Sequence, residues 1–439
     1  MQVAVLGAGY VGAITAACLA DRGHDVTAVE VAGPRLAAYQ AGRVPLFEPG
    51  LDELFGSMLA AGRLRVTDDV PAALSNRPVV LICVGTPLSA DGEADLRQVE
   101  SACRAISASG SEAVVVIRST LPIGTTDIVG RWLGRSALAD VVTNPEFLSQ
   151  GSAIRDFLAP ARIVIGTQDG QPSAASRLIE ELYAGIDAPI LVTDFASAEM
   201  IKNVANAFLA TKLSFVNEVA DLCEAFGADV ESVVRGIGLD PRIGPTYLRP
   251  GIGFGGSCLP KELANLVRLG RDRGLPMRML GAAGTANEER CGYIAERLEH
   301  VLGSFDGQRV ALLGLAFKPL TDDTRYSPAL NLAAELIKRG AEVVAHDPAV
   351  PATATESMVG LATARTVERA VAGADLVVHT TEWPEYRALD WEVLGTLVRS
   401  RVMFDGRNAL DADALRLAGW RVLRVGSAVP SPVLAAGAG

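Results

Sequence analysis

Apolar and polar positions along the N-terminal part of the chain predict strands that alternate with helices. Short apolar runs with the length of buried strands occur at 2–7, 24–30, 79–84, 113–119 and 141–143. Each run is followed by a turn-rich loop or by a segment with helical spacing of its apolar residues. This order predicts a doubly wound parallel sheet with helices on both faces.

A helical period replaces this alternation from Asp194 to about Gly227, where neither glycine nor proline interrupts the chain. The apolar positions that recur at threes and fours are Ile201, Val204, Phe208, Phe215, Val219, Leu222 and Phe226. One helix of this length spans roughly 45–50 Å at 1.5 Å per residue. It is long enough to join two domains, and its apolar stripe predicts a homodimer formed through it.

Strand-like runs return in the C-terminal part, after a helical region at 229–302 that a loop interrupts near residues 240–256. The strands are predicted at 308–314, 342–345, 376–379, 402–404 and 421–425. The predicted fold class is α/β, with two Rossmann-like doubly wound parallel-sheet domains joined by a long central helix and a helical domain. We expect domains at 1–193, 194–303 and 304–439, and a frayed end from Ala428.

Composition narrows the possible functions. Hydrophobic residues make up 49% of the 439 residues, and no apolar run is long enough for a membrane span. A strand that begins at Gln2 leaves no room for a signal peptide, and six cysteines without disulfide or CxxC spacing favour a reducing, cytoplasmic setting. Four scattered histidines argue against zinc, so we predict no metal. The net charge of -11 argues against nucleic acid, and an anionic substrate would need a local basic pocket.

The first strand leads into a GxGxxG turn, a helix, a second strand and the acidic residue Glu30. In this context the turn is a dinucleotide-binding fingerprint, although a glycine-rich turn without a ligand is the alternative. A carboxylate at Glu30 would bind ribose hydroxyls and repel a 2′-phosphate, so NAD is favoured over NADP. The nearby cation of Arg35 argues in the opposite direction, because it could accommodate a 2′-phosphate. The residues assigned to the cofactor here are Gly7, Gly9, Tyr10, Val11, Gly12, Glu30 and Arg35.

Polar loops follow the later strands, at the sheet edge where doubly wound folds bind ligands. We expect Val84, Gly85, Thr86, Ser119 and Thr120 to meet the cofactor, although turn chemistry alone could explain the two threonines. Glu146 stands between proline and apolar residues, where a partly desolvated carboxylate would suit a general base.

The most unusual stretch is a glycine-rich run from Gly251 that ends in Cys258 and is followed by a predicted helix. The helix N-terminus and Lys261 would lower the thiol pKa, which favours a nucleophilic thiolate. The alternative is a structural cysteine beside a glycine-rich turn. Lys202 and Asn206, four residues apart on the long helix, could stabilise an oxyanion or belong to a solvated polar face.

Other cations lie near predicted loops. Arg242, Tyr247 and Arg249 precede the glycine-rich run and would suit a diphosphate and a ring. In the second sheet, residues 314–318 replace GxGxxG, so we expect no dinucleotide there. Its loops contain Lys318, Arg325 and Arg407, which indicate a nucleotide site or plain surface charge.

Four motifs in order resemble the nucleotide-sugar 6-dehydrogenase family: GAGYVG at 7–12, NPEFL at 144–148, GFGGSCLPKE at 253–262 and GLAFKPLTDDTRYSP at 314–328. The resemblance covers nearly the whole chain. It implies an NAD-binding Rossmann domain, a central helical domain that forms the dimer, and a C-terminal nucleotide-sugar domain.

The resemblance also implies a four-electron oxidation of a sugar C6 hydroxyl to a carboxylate with two NAD. Glu146 would be the base, through a water held by Thr120, and Cys258 would form a thiohemiacetal and then a thioester. Lys202 and Asn206 would stabilise oxyanions. Arg242 would reach the neighbouring subunit's substrate. Implied substrate contacts are Glu146, Phe147, Leu148, Lys202, Asn206, Arg242, Tyr247, Arg249, Phe254, Gly255, Phe317, Lys318 and Arg407. Implied NAD contacts beyond the glycine turn include Glu30, Arg35, Thr86, Thr120, Gln150, Lys261 and Arg325.

The chain departs from the family pattern at Glu262, where relatives usually have Asp, and this concerns thioester hydrolysis. Glu30 replaces an Asp that many relatives have, and Val31 to Gly33 also depart from the usual pattern. Residues 206–218 and 240–244 resemble the UDP-glucose branch, which forms UDP-glucuronate, rather than the GDP-mannose branch, and TDP-glucose stays open. Two other functions also stay open: a two-electron hydroxy-acid dehydrogenase and a non-catalytic NAD-binding regulator.

Overall fold

The structure is a computed structural model that describes residues 1–87, 89, 93–135 and 138–427. The predicted frayed end from Ala428 therefore lies outside the described residues. The chain divides into two compact units, Met1–Ala205 and Asn206–Gly439. Within the described ranges, none of the helices combines the length and apolar character that crossing a bilayer requires.

The first unit is built on an eight-stranded sheet with the order β3-β2-β1-β4-β5-β6-β7-β8. Its strands are β1 Gln2–Leu6, β2 Asp25–Val29, β3 Leu64–Thr67, β4 Val79–Ile82, β5 Val114–Ile117, β6 Val141–Thr143, β7 Ile163–Thr167 and β8 Ile190–Asp194. All neighbours pair in parallel except β6 and β7, which are antiparallel. The central strands are apolar on both faces because helices cover both sides of the sheet.

The helices of this unit connect its strands and bury mostly small and branched apolar side chains. They are α1 Tyr10–Asp21, α2 Gly33–Gln40, α3 Leu51–Ala60, α4 Val70–Leu74, α5 Arg97–Ala108, α6 Thr126–Leu133, α7 Ala153–Leu158 and α8 Ala174–Leu182. The long helix α9, Phe195–Phe226, begins in this unit and continues into the second. It confirms the long helix predicted from the uninterrupted apolar period.

The second unit has a helical part and a six-stranded sheet. The helical part contains α10 Val230–Gly238, α11 Leu259–Asp272 and α12 Arg278–Leu302. The sheet has the order β11-β10-β9-β12-β13-β14, and all its strands are parallel. Its strands are β9 Arg309–Leu313, β10 Glu342–His346, β11 Leu361–Thr363, β12 Leu376–His379, β13 Val402–Asp405 and β14 Arg421–Arg424.

Short helices complete the second sheet, and one apolar cluster joins it to residues of α9, α10 and α12. The helices are α13 Pro328–Lys338, α14 Val367–Val371, α15 Pro384–Arg387, α16 Trp391–Leu394 and α17 Ala412–Leu417, with a 3₁₀ turn at Ala352–Thr355. In both sheets the order 3-2-1-4-5-6 brings the carboxyl ends of the central strands to one edge, where the sequence predicts ligands.

Candidate active site

The turn between β1 and α1 has the geometry that a dinucleotide needs. A Cβ added at Gly12 would lie 1.8 Å from the carbonyl oxygen of Gly7, so any side chain there would push the helix off the turn. Gly9 is the residue before α1, has no side-chain cap, and a Cβ added to it would meet nothing within 4 Å. A helix N-terminus that opens onto free space beside a glycine turn can receive a pyrophosphate.

Glu30 follows β2 directly and is 4% exposed. One of its carboxylate oxygens accepts from the backbone N–H of Ala32 at 2.9 Å, and the other from Arg35 at 2.9 Å. A carboxylate held in this way at the end of the second strand fits the ribose-binding group of an NAD site. Arg35 pairs with Glu30 in this structure, so its cation is partly neutralised.

Two loops beyond β4 and β5 are tied to each other by the residues predicted to meet the cofactor. The Ser119 hydroxyl donates to the carbonyl of Val84 at 2.7 Å, and the Thr86 hydroxyl donates to the carbonyl of Thr120 at 2.9 Å. Gly85 lies between two of these residues and is exposed. The structure therefore brings this predicted set together at one sheet edge.

Glu146 and Lys202 form a buried ion pair. Lys202 Nζ lies 3.2 Å from Glu146 Oε1, and the two side chains are only 5% and 8% exposed. The second carboxylate oxygen accepts from the backbone N–H of Leu148 at 2.6 Å. Phe147 stacks against Arg162, whose Cζ lies 3.7 Å from the ring centroid, and Lys202 Nζ lies 5.4 Å from that centroid. Burial excludes the solvated-face interpretation of Lys202.

Cys258 differs from the other cysteines. It is exposed and immediately precedes α11, whereas Cys18, Cys83, Cys103, Cys223 and Cys291 are all buried. Burial raises the pKa of Cys18, Cys83, Cys103 and Cys291 to about 12, which makes those four thiols unreactive. Only Cys258 combines exposure with the positive end of a helix dipole, so the alternative of a packed structural cysteine is excluded.

The glycine-rich run is pressed against the loop that follows β9. A Cβ at Gly255 would lie 2.1 Å from the carbonyl oxygen of Tyr326, so only glycine permits this approach. The backbone N–H of Gly256 donates to the carbonyl of Arg325 at 2.9 Å, and Phe254 is buried. The Arg325 guanidinium pairs with Asp323 at 2.6 Å, and this hydrogen bond is the largest cause of the raised pKa of Arg325.

Arg407 joins three segments of the second unit. Its guanidinium donates to the carbonyls of Thr380 at 2.7 Å, Gly253 at 3.0 Å and Phe317 at 3.5 Å. Lys318 Nζ lies 5.6 Å from the centre of the Phe317 ring. The predicted substrate residues Phe317, Lys318 and Arg407 are therefore assembled with the glycine-rich run.

Asn206 and Glu262 also meet within the second unit. The Asn206 amide donates to Glu262 Oε2 at 2.5 Å, and Glu262 is 1% exposed. Glu262 and Lys261 lie in the first turn of α11, directly after Cys258. Asn206, which is predicted to stabilise an oxyanion, is thus held by Glu262, the residue that replaces the usual Asp of the family.

The remaining predicted residues are more exposed. Arg242 has an 87% exposed side chain and pairs with Asp240, and Tyr247 and Arg249 are also exposed. Val11 lies in the first turn of α1, and Gln150 lies in the loop after β6. The roles of Arg242, Tyr247 and Arg249 stay predictions.

Several buried polar residues escaped prediction from sequence. Glu48, Arg118 and Glu199 are 7%, 4% and 3% exposed. Glu48 and Arg118 make hydrogen bonds to the loop that contains Glu146, and Glu199 accepts from the backbone N–H groups of Gly124 and Thr126 around the start of α6. The signal for Glu48 is an acid set between Phe47 and a proline in an apolar stretch. The signal for Arg118 is a cation placed directly after an all-apolar strand.

The chain matches three family models of the UDP-glucose/GDP-mannose dehydrogenase family. The NAD binding domain matches residues 1–187, the central domain residues 196–289, and the UDP binding domain residues 311–412. Among curated proteins, a UDP-glucose 6-dehydrogenase of Rhizobium meliloti (strain 1021) is 42% identical over 435 residues, which cover 97% of this chain and 99% of the relative.

Solved structures give the same result. A UDP-glucose dehydrogenase from the hyperthermophilic archaeon Pyrobaculum islandicum is 38% identical, with a TM-score of 0.88 and coverage of 98% of both chains. A UDP-D-ManNAc dehydrogenase from Pyrococcus horikoshii is 31% identical, with a TM-score of 0.83 and coverage of 97% of this chain and 99% of the other.

Proposed function

Because the chain belongs to the UDP-glucose/GDP-mannose dehydrogenase family and is an NAD-dependent oxidoreductase, we propose that it oxidises UDP-glucose to UDP-glucuronate. The observation that carries the proposal is the one exposed cysteine of six, which stands at a helix N-terminus in a glycine-rich loop. A nucleophilic thiol allows an alcohol to be oxidised beyond the aldehyde, because the thiol adduct of the aldehyde has an oxyanion and a hydrogen on the same carbon.

NAD fits the first unit, because the turn at Gly7 to Gly12 leaves free space at the start of α1 and Glu30 is held at the end of β2. These residues would hold the pyrophosphate and the adenosine ribose, and Ser119, Thr86 and Thr120 stand on the adjoining loops. When bound, NAD accepts one hydride in each of the two oxidations.

In the first oxidation, Glu146 removes the proton of the C6 hydroxyl through a water held by Thr120, and C6 also loses a hydride to leave an aldehyde. The buried Lys202 Nζ lies 3.2 Å from Glu146 Oε1 and would orient this carboxylate. The same cation, with the Asn206 amide, would stabilise the oxyanion that forms later.

In the second oxidation, the Cys258 thiolate forms a C–S bond to the aldehyde carbon, and the carbonyl oxygen becomes the oxyanion of a thiohemiacetal. Loss of the second hydride from C6 leaves a thioester. Water then attacks this carbon, the C–S bond breaks, and the products are the carboxylate and the free thiol. Glu262, which binds Asn206, is the acidic group next to this step.

The choice of UDP-glucose rests on likeness. The UDP binding domain model matches residues 311–412, which contain most of the sheet of the second unit, and the curated relative at 42% identity is named for UDP-glucose. Arg407, Phe317 and Lys318 would hold the nucleotide sugar in this unit, and Phe147 and Leu148 are further substrate contacts that the family resemblance implies. TDP-glucose and GDP-mannose are the competing substrates, and an N-acetylated UDP-sugar joins them because of the Pyrococcus horikoshii neighbour.

We also propose a homodimer formed through α9. Its exposed large apolar residues are Met200, Val204, Phe208, Phe215, Leu222 and Phe226, which recur along one side of the helix. A continuous exposed apolar stripe of this length is typical of an interface. In such a dimer the exposed Arg242 would reach the substrate of the partner. Six free cysteines, one of them exposed, also suit a reducing compartment such as the cytoplasm.

The test measures NADH released from purified protein with limiting UDP-glucose, TDP-glucose, GDP-mannose or UDP-N-acetylglucosamine. We expect about two NADH per UDP-glucose, since the oxidation removes four electrons. One NADH with a trapped aldehyde or thioester would indicate that the reaction stops at the step near Glu262. No NADH with any of the four sugars would contradict the proposal and favour a non-catalytic NAD-binding regulator.

A further inference from the structure

The loop after β6 is held at its far end by the buried carboxylate of Glu48. This loop contains the proposed base, Glu146, and leads into α7. Glu48 Oε2 accepts from the backbone N–H of Gly151 at 2.5 Å, and Oε1 accepts from the backbone N–H of Ala153 at 2.7 Å. Glu48 is 7% exposed and lies 103 residues away from Gly151 in sequence, so these bonds pin the loop to a distant segment.

Glu48 also accepts a hydrogen bond from the side chain of Tyr10. Tyr10 is the first residue of α1 and stands directly after Gly9, where the dinucleotide turn ends. Burial, and then the hydrogen bond to Glu48, raise the pKa of Tyr10, so its hydroxyl remains a donor. The charge of Glu146 makes a further, smaller contribution to this raised pKa.

The near end of the same loop is held separately. The Asn144 side chain accepts from Arg118 at 2.8 Å and from the Tyr183 hydroxyl at 2.6 Å, and its amide donates to the carbonyl of Val164 at 2.8 Å. With one end fixed to the sheet and Glu146 paired with Lys202, the far end of the loop is a further constraint on the position of Glu146. That other end is connected, through Glu48 and Tyr10, to the turn that receives the cofactor.

We propose that Tyr10 and Glu48 are positioning residues that hold the Glu146 loop in place relative to the dinucleotide-binding turn. The side chain of Tyr10 would then help to position Glu146, although Tyr10 belongs to the GAGYVG motif of the cofactor site. The proposal rests on the proposed function for its kinetic consequence, but the contacts themselves lie within the first unit and can be tested without substrate.

The structural test is hydrogen–deuterium exchange of the segment that contains Gly151 and Ala153. Tyr10→Phe removes one hydroxyl, and Glu48→Gln turns an acceptor oxygen into a donor that faces a backbone N–H. We expect exchange in this segment to accelerate by about tenfold in both variants, the effect of losing roughly one hydrogen bond. Unchanged exchange in both would overturn the proposal.

Tyr39→Phe is the matched control. The Tyr39 hydroxyl is also buried in the first unit, but it donates to the carbonyl of Ala8 at 2.8 Å and not to Glu48. Its removal costs a buried tyrosine hydrogen bond near the same turn. We expect it to leave exchange at Gly151 and Ala153 as in the parent protein.

The kinetic test compares kcat with the KM for NAD using UDP-glucose. If the loop is displaced, kcat of Tyr10→Phe and Glu48→Gln should fall by about tenfold or more while the KM for NAD stays within about threefold. A raised KM for NAD with unchanged kcat would instead make Tyr10 a cofactor contact only. If the parent protein forms no NADH from UDP-glucose, the proposed function fails, and the exchange experiment alone still decides the positioning role.

Discussion

The two sheets of this protein share a strand order and the backbone hydrogen bonds at their carboxyl ends, but they use those ends differently. The N–H of Gly7 donates to Val29 at 3.0 Å, and at the matching place the N–H of Gly314 donates to His346 at 2.8 Å. The N–H of Cys83 donates to the carbonyl of Leu6, and the corresponding bond in the second sheet runs from Thr380 to Leu313. Likewise the N–H of Arg118 donates to Ile82, and the corresponding bond runs from Gly406 to His379. Glu30 and Asp347 are thereby equivalent, since each follows the second strand.

The equivalent carboxylates have different partners. Glu30 accepts only local donors, Ala32 and Arg35, and the turn before α1 stays uncovered. Asp347 instead accepts from the backbone N–H groups of Leu315 and Ala316 at 2.7 and 3.0 Å. These two amides belong to the turn that would bind a phosphate in the first unit, so in the second unit an internal carboxylate takes the place of the ligand.

The connections differ as well. Residues 7–9 join β1 to α1, whereas residues 314–327 join β9 to α13 and contain Lys318. In the loops after β5 and β13, Ser119 corresponds to Arg407, because Ser119 follows Arg118 and Arg407 follows the matching Gly406. Under the proposed function, one fold would therefore bind anions in two ways: at the helix N-terminus after Gly9 in the first unit, and through cationic side chains on a longer loop in the second.

The largest expected effect is that of Cys258→Ser, which should separate the first oxidation from the second. Cys258→Ser should leave the first oxidation, which relies on the first unit, and prevent formation of a thioester. We expect steady-state formation of the uronic acid to fall by roughly 10³-fold or more, with at most one NADH per sugar in a single turnover. Cys291→Ser is a control for loss of a thiol elsewhere in the unit. Uronic acid formation by Cys258→Ser at the parent rate would refute the covalent scheme.

A smaller effect tests the contrast between the equivalent carboxylates. Glu30→Gln should raise the KM for NAD by about 10- to 100-fold, because hydrogen bonds from the ribose to a charged acceptor are lost. Asp347→Asn should leave that KM unchanged and lower the Tm by several degrees, about 2–4 °C for each kcal/mol lost, because buried donors lose their acceptor. If Asp347→Asn changed the KM for NAD as much as Glu30→Gln, the contrast would be wrong.

The smallest effect concerns pH. Burial raises the pKa of Glu199 in the first unit. Its stability contribution is complete below the unfolded pKa of about 4.3 and is lost as pH rises through the folded pKa. Glutamine does not titrate, so Glu199→Gln does not lose stability in this way. The Tm of the variant minus that of the parent should therefore increase by about 2–4 °C as the pH rises from 4 to 7.5.

Asp405 in the second unit should behave in the opposite way. Burial would raise its pKa, but hydrogen bonds, first from His379, outweigh burial and lower it. Its contribution is present above the unfolded pKa of about 3.9 and is lost as pH falls through the folded pKa. The Tm deficit of Asp405→Asn should therefore shrink in acid. Thermal unfolding across pH checks both variants, and a shift of the same sign in both would contradict this assignment.

The sequence alone was enough to predict the two parallel sheets, the long helix and the candidate residues on the loops. Strand and helix periods are local, and the order of elements leaves few ways to arrange a doubly wound sheet. The glycine turn, Glu30 and the glycine-rich run before Cys258 were recognisable because each motif is contiguous and its spacing has a steric cause. The antiparallel pairing of β6 with β7 was not visible, because pairing direction depends on how the chain returns to the sheet.

Only the tertiary structure decided which polar groups are buried and what they bind. Glu48 meets Tyr10 and Gly151 from distant parts of the sequence, and Asp347 turns onto Leu315 and Ala316. Burial of a charge is acceptable only where partners converge on it, and that convergence comes from packing. The sequence indicated two similar sheets and predicted different ligands for them. Only the structure showed that the turn amides of the second unit already donate to Asp347, because packing brings that carboxylate to them.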